Sequence, residues 1–269
     1  MRSFAFHQPD QLPEAVKLLS ADPEGRPLAG GMTLIPTLKQ RLASPSALID
    51  LSKLAALKGC LDGNARVTIG AMTTHAEVAG SPVVRKRIPA LAALASVIGD
   101  PAVRNRGTMG GSVANNDPAA DYPAGVLGLA ATIVTSAREI AADDFFLGLF
   151  ETALKPGEII TAIRFPVPLA AGYAKFKAPA SRYALVGVFV ANTGPSVRVA
   201  VTGAGPGVFR VPQMERALEQ NFDPSAIGAI RIDADGLTSD IHADAGYRAH
   251  LVTVMAKRAV EAALSERRD

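Results

Sequence analysis

Between Gly99 and Tyr122 the chain reads GDPAVRNRGTMGGSVANNDPAADY, which puts Arg104 and Arg106, the glycines Gly107, Gly110 and Gly111, and the aspartates Asp117 and Asp121 in one short stretch. Glycine has no Cβ, so its backbone N–H groups can come close to a ligand and positive φ costs nothing. Such a loop suits a phosphate. Arg104 and Arg106 read equally well as phosphate contacts or as a solvated face. Asp117 and Asp121, with Pro118 between them, read as a turn former and as an acceptor for a hydroxyl or amide, not as a catalytic pair.

A second glycine pair stands earlier, in Pro27-Leu28-Ala29-Gly30-Gly31-Met32-Thr33, where a strand runs into Gly-Gly and Thr33 occupies an N-cap position. Bare amides at a helix start favour anions. Two such loops, with Asp121 and the polar run Ser112 to Asn116 beside the second, point to a ligand with more than one phosphate, hence a dinucleotide. The usual phosphate motifs are missing: there is no G-x-x-x-x-G-K-[ST], and Gly203-Ala204-Gly205-Pro206-Gly207 lacks the G-x-G-x-x-G spacing. A P-loop NTPase and a Rossmann enzyme are therefore not supported.

Other chemistry is thin. His7, His75, His242 and His250 show no HExxH-type spacing, and His242 and His250 read as a surface or helix-entry pair. No G-x-S-x-G elbow occurs. The single cysteine, Cys60, excludes an internal disulfide and a four-cysteine cluster, and reads as inert packing. No catalytic residue and no metal-ligand set is assigned.

The elements that must position the two loops follow from local pattern. A small βαβαβ lobe is expected: strands around Phe4 and Phe6, at Arg26–Leu28 and at Ala47–Leu51, with helices at Leu12–Leu19 and Thr33–Leu42. Arg66–Met72 alternates like a half-buried strand, Thr74 and Glu77 form a capping box that opens a helix, and Pro89–Ile98 reads as a buried helix. Ala124–Ala131 is apolar and small; strands are expected at Ala131–Ser136 and Glu158–Pro166. Pro166-Val167-Pro168 and Gly172 look like a boundary. Beyond it, strands are expected at Tyr173–Lys177, Ala184–Ala191 and Val197–Gly203, then helices at Val211–Gln220 and from Gly246 to about Arg267, with a fraying ERRD tail. At 269 residues and 48% hydrophobic content the chain can bury a substantial core. A net charge of +3, scattered and rarely interleaved with aromatics, is too dilute for a nucleic-acid footprint. No apolar run approaches the roughly 18 residues of a membrane span, and the N-terminus lacks a signal-peptide core, which implies a cytoplasmic protein.

Taken together, AGGMTLIPTLKQRLASPSALIDLSKL, IGDPAVRNRGTMGGSVANNDPAADYPA, TALKPGEIITAIRFP, YAKFKAPASRYALVGV and DIHADAGYRAHLVTVMAKRAVEAAL resemble, in order and over nearly the whole length, the FAD-binding medium subunit of molybdenum hydroxylases. Aerobic carbon monoxide dehydrogenase and the flavin domain of xanthine dehydrogenase are examples of the family. The resemblance implies an α+β fold: a two-lobed FAD-binding domain of the vanillyl-alcohol oxidase (PCMH-like) type over 1–168, with lobes of about 1–53 and 54–168, then a C-terminal domain of antiparallel strands and helices over 172–269. Carried over by position, Ala29, Gly30, Gly31, Met32, Thr33 and Leu34, with Thr108, Met109, Gly110, Gly111 and Ser112, would wrap the FAD pyrophosphate. Asp121 would accept a hydroxyl from the sugar or ribityl region, Ile160 would pack near flavin or adenine, Ile98 and Gly99 would border the cleft, and Lys177 would place a positive charge near the flavin edge. Two positions depart from the family pattern: Met32, where a small or polar residue is common, and Pro179, where a basic residue is expected.

What the resemblance implies is an electron-transfer subunit in a heterohexamer, a dimer of heterotrimers. Molybdopterin would sit on a large partner subunit and [2Fe-2S] clusters on a small one. Electrons would leave to a quinone, oxygen or NAD, and the mixed face of the last helix would meet partners. Two rival readings stand beside it: a free-standing FAD-dependent oxidase or reductase of the vanillyl-alcohol oxidase or cell-wall precursor reductase type, and a flavin-free assembly scaffold.

Overall fold

The computed structural model describes residues 1–265. The expected fraying of residues 266–269 and a final helix reaching 267 therefore lie outside the described residues. The first lobe is β1 (Ala5–His7), α1 (Leu12–Ala21), β2 (Arg26–Leu28), α2 (Leu34–Lys39) and β3 (Ala47–Asp50), with the three strands parallel in the order β1-β3-β2. Pro13 sits in the first turn of α1, where no N–H is needed. Ala15 and Leu19 of that helix bury against Ile49, Leu51, Leu54 and Leu57. α2 is shorter than the expected Thr33–Leu42, because Arg41 turns left-handed at φ 62° and ends it. Thr33 has helical backbone angles and makes no side-chain cap hydrogen bond, so it does not cap α2 as its position suggested.

The second lobe comprises β4 (Cys60–Asp62), β5 (Arg66–Gly70), α3 (His75–Gly80), α4 (Pro82–Arg87), α5 (Pro89–Ser96), α6 (Pro101–Arg104), α7 (Met109–Asn115), α8 (Tyr122–Gly128), β6 (Thr132–Thr135), β7 (Glu139–Ala141), β8 (Phe146–Gly148), β9 (Glu151–Thr152) and β10 (Ile160–Pro166). Its main sheet runs β4-β5-β10-β6-β7, antiparallel throughout. The capping box of α3 forms as predicted: the Thr74 hydroxyl accepts from Glu77 N at 3.2 Å, and the Glu77 carboxylate accepts from Thr74 N at 2.7 Å. The small apolar run after Tyr122 is a wholly buried helix. Its smallness has a use, since a Cβ at Gly128 would lie 2.9 Å from the Phe189 ring.

The C-terminal part of the chain is β11 (Ala170–Lys177), β12 (Ala184–Asn192), β13 (Val197–Thr202), β14 (Phe209–Arg210), α9 (Pro212–Gln220), α10 (Pro224–Ile227) and α11 (Ala245–Ser265), with the strands antiparallel in sequence order. The pleat alternates β12 between two cores. Phe189 and Ala191 join the core of the second lobe, while Val186, Val188 and Val190 pack with Val252, Met255 and Ala256 of α11. One face of α11 is thus covered by its own sheet, while Tyr247, His250 and Arg258 on the other are exposed. Arg248 is buried, its terminal nitrogens donating to the carbonyls of Leu185 and Gly203 and to Asp240, each at 2.8 Å, while its Nε is buried without a partner. No helix among the described residues is long and apolar enough to cross a membrane.

Candidate cofactor-binding cleft

The two glycine loops face one cavity of about 510 Å³. They also touch. A Cβ on Gly30 would lie 2.1 Å from the carbonyl oxygen of Arg106, and one on Gly111 would lie 3.4 Å from the Ala29 side chain. Gly31 takes φ +74°, a conformation open mainly to glycine.

Accounting for the amides separates the two loops. Among the described residues, the N–H groups of Gly30, Gly31, Met32 and Thr33 have no acceptor within the protein, so the first loop presents a run of free donors. The second loop does not. Met109 N donates to Thr73 O, Gly110 N to Ala71 O, Gly111 N to the Thr108 hydroxyl and Ser112 N to Thr108 O. Local pattern could not reveal this, because two of those acceptors sit on the turn after β5. The second loop is thus a closely packed wall.

Of the residues expected at the site, Ala29, Gly30, Gly31, Met32, Thr33, Leu34, Ile98, Gly99, Thr108, Gly110, Gly111, Ser112, Asp121 and Ile160 all line this cavity. Met109 and Lys177 do not. The Met109 side chain is fully buried in the core beneath the loop. Lys177 is exposed at the end of β11, beyond a register shift between Phe176 and Lys177. Arg104 does not line the cavity; one guanidinium nitrogen donates to the carbonyls of Ile98 and Gly99, fastening the entry to the loop. Arg106 is exposed and does not line the cavity. Asp117 is the turn former expected, its Oδ1 accepting from Ala119 N at 2.9 Å. His242 and His250 are exposed, and burial raises the Cys60 thiol above its ordinary value, as suits a packing residue.

The fold adds a wall that the loops did not announce. Ser181, Arg182 and Tyr183, between β11 and β12, close one side of the cavity, and Leu28, Leu51, Met72 and Ile159 supply apolar surface. Behind Asp121 stand two further residues. The Tyr173 hydroxyl donates to its Oδ1 at 2.5 Å, and Lys175 Nζ lies 2.9 and 3.0 Å from its two oxygens. Burial raises the Asp121 carboxyl from its ordinary value against the opposing pull of Lys175 and Tyr173, and burial first, then Asp121, holds the Tyr173 phenol well above its own. A larger groove of about 660 Å³, lined by Gly205, Pro206, Arg210 and Arg216 among others, contains none of the expected site residues.

Residues 2–168 match the family model described as the FAD binding domain in molybdopterin dehydrogenase. The chain is 37% identical to the nicotine 6-hydroxylase medium subunit of Paenarthrobacter nicotinovorans, covering 95% of each chain. It is 36% identical to the carbon monoxide dehydrogenase medium chain of Hydrogenophaga pseudoflava, covering 97% of this chain and 96% of that one. The chain belongs to the flavoprotein family of the molybdenum hydroxylases. Its fold agrees: it superposes on a chain of reconstituted CO dehydrogenase from Oligotropha carboxidovorans with a TM-score of 0.87 at 34% identity, covering 98% of both. It is an oxidoreductase subunit of α+β fold whose family cofactor is FAD.

The flavoprotein's own geometry suits that cofactor. A row of unengaged amides faces the cavity, the glycines stand where a Cβ would collide, and apolar walls flank them. The two departures from the family pattern resolve differently. Met32 lines the cavity, where its backbone N–H is one of the free donors. Pro179 is exposed and off the cavity, while Arg182, three positions later and at φ 62°, lines it.

His75 is the lining residue whose chemistry sequence reading undervalued. Remote in sequence from the second loop, it packs on it: a Cβ at Gly107 would lie 2.5 Å from its Nε2, and its ring tilts against Tyr122 at 5.2 Å. Its Nδ1 is buried without a hydrogen-bond partner. Burial, and then the charge of Arg104, push the imidazole down to about 4. The histidine is therefore neutral in the folded protein while an unfolded one takes a proton near pH 6.5, so its contribution is intact above that pH and is lost as pH falls toward 4. Urea unfolding should show a loss of about 3 kcal/mol over that interval assignable to this group, given about 1.4 kcal/mol per pKa unit. A His75→Gln variant should have a correspondingly flatter stability profile; an unchanged slope would show that this imidazole does not titrate as its burial requires.

Proposed function

We propose that this chain is the electron-transfer subunit of a molybdenum hydroxylase complex, receiving electrons from a [2Fe-2S] partner and passing them to an external acceptor. What chiefly supports the reading is the row of unengaged amides from Gly30 to Thr33 facing a cavity of about 510 Å³ in a chain of this family. FAD supplies the two-electron chemistry when bound. The chain's residues hold and shield it. In this reading the free amides of Gly30 to Thr33 take the pyrophosphate, with Ala29, Leu34, Thr108 and Gly110 to Ser112 closing around it. Asp121 accepts a hydroxyl, and Ile98, Gly99 and Ile160 exclude water from the rings. Lys177 reaches the flavin edge only if the end of β11 shifts. Residues 1–168 form the flavin domain and 172–269 the C-terminal domain. The complex is a cytoplasmic dimer of heterotrimers, with substrate hydroxylated at molybdopterin on the large subunit.

Co-expression with the neighbouring genes tests this directly. A yellow complex of three subunits, absorbing near 450 nm and losing that band when the electron-donating substrate is added, is the expected result. Failure to form a complex, or substrate turnover by the isolated chain, would instead favour a free-standing oxidase.

A further inference from the structure

We infer that Lys175 and Tyr173, on the first strand of the C-terminal sheet, are positioning residues for FAD that keep Asp121 an ionised acceptor at the cleft wall. This deepens the flavin reading above and rests on it. Asp121 begins α8 without using its side chain as a cap, so its carboxylate is not occupied by its own helix. It is taken by β11 instead, through the Tyr173 hydroxyl and the Lys175 ammonium. Both members of the ion pair are nearly sealed from water, with side chains 5% and 4% exposed. A carboxylate offers about four acceptor sites, and these contacts leave room for one more on the side that lines the cavity. Through this carboxylate a domain that walls only one side of the cleft also sets the charge of another.

The titratable groups that bear on Asp121 are Lys175 and Tyr173 on β11, Tyr183 in the loop before β12 and Tyr122 beside it on α8, with Asp117 acting on Tyr183. Lys175 is the cation among them. Without it, burial raises the carboxyl with only hydrogen bonding to oppose it, so the proton is taken up at higher pH and the acceptor becomes a donor. The pleat explains the choice of residue: Tyr173 and Lys175 share one face of β11, the face toward α8, whereas Ala174 joins the core formed with α11.

The experiment is titration of the flavin-free full chain with FAD, followed by flavin fluorescence, at about pH 6 and about pH 9. Lys175→Met should weaken binding about tenfold or more at the lower pH and clearly less at the higher one, whereas Lys175→Arg should stay within about threefold of the unaltered chain. Tyr173→Phe should move affinity in the same direction by a smaller factor. Adding Lys175→Met to Asp121→Asn should weaken binding no further than Asp121→Asn alone, because the lysine acts through the carboxylate. Wild-type affinity in Lys175→Met, equal loss at both pH values, or simple additivity with Asp121→Asn would overturn the inference. If Lys175→Met does not fold by circular dichroism, Tyr173→Phe decides, and an unchanged affinity and pH profile there overturns it. An unaltered chain that takes up no FAD would sink the flavin reading itself, a distinguishable failure.

Discussion

A Gly30→Ala variant should lose FAD affinity by tenfold to a hundredfold while still folding. The added methyl would meet the Arg106 carbonyl oxygen at 2.1 Å, the Arg106 carbonyl carbon at 2.7 Å and Gly107 Cα at 2.8 Å. All three are backbone atoms, so no rotamer change relieves the clash, and the two loops must part by about 1 Å to reach normal contact. Overpacking of this kind costs about 1–3 kcal/mol. The loops lie on the surface of the cleft and their parting leaves the main cores intact, so the cost falls on the bound geometry, where about 1.4 kcal/mol is a factor of ten. Titration with FAD beside a thermal melt separates the two effects. A variant that binds FAD as tightly as the parent would show that loop contact at Gly30 is irrelevant to the site.

Gly172→Ala should be the more damaging change to stability, although sequence reading took Gly172 as a marker of a domain boundary. It lies inside β11, and a Cβ there would sit 2.0 Å from the Ala259 carbonyl oxygen and 2.7 Å from Ala263 N, both on α11. The helix backbone rests directly on the strand backbone at this point. Relief requires lifting a helix whose residues Val252, Met255, Ala256 and Val260 are fully or almost fully buried, so the expected loss is about 3 kcal/mol or more. Chemical denaturation measures it; a loss under about 0.5 kcal/mol, the range of ordinary surface changes, would contradict this packing. Because Tyr173 and Lys175 follow on the same strand, FAD affinity should fall together with stability.

Short-range chemistry was the legible part. The glycine loops, the Thr74–Glu77 capping box, the Asx turn at Asp117 and the apolar strands of the C-terminal sheet each depend on residues within a few positions of one another, and each appears in the structure. Short elements without periodicity were not legible. The pair β8 and β9, of three and two residues, carries no alternation long enough to read. Contacts made across the fold were not legible either. Arg104, open in the sequence to phosphate contact or a solvated face, donates to carbonyls of its own loop, and on β11 it is Lys175 that turns inward onto Asp121.

By itself, the sequence determined two glycine loops able to lie close to phosphate and membership of a flavoprotein family legible in the order of five segments. Only the tertiary structure decided which loop keeps its amides free, that Met109 points into the core, that residues 181–183 complete the cleft, and that Asp121 answers to Lys175 and Tyr173. The physical reason is range. Backbone conformation and capping are settled by near neighbours, whereas hydrogen bonds between residues 52 and 54 positions apart exist only once two sheets and the helix between them have packed.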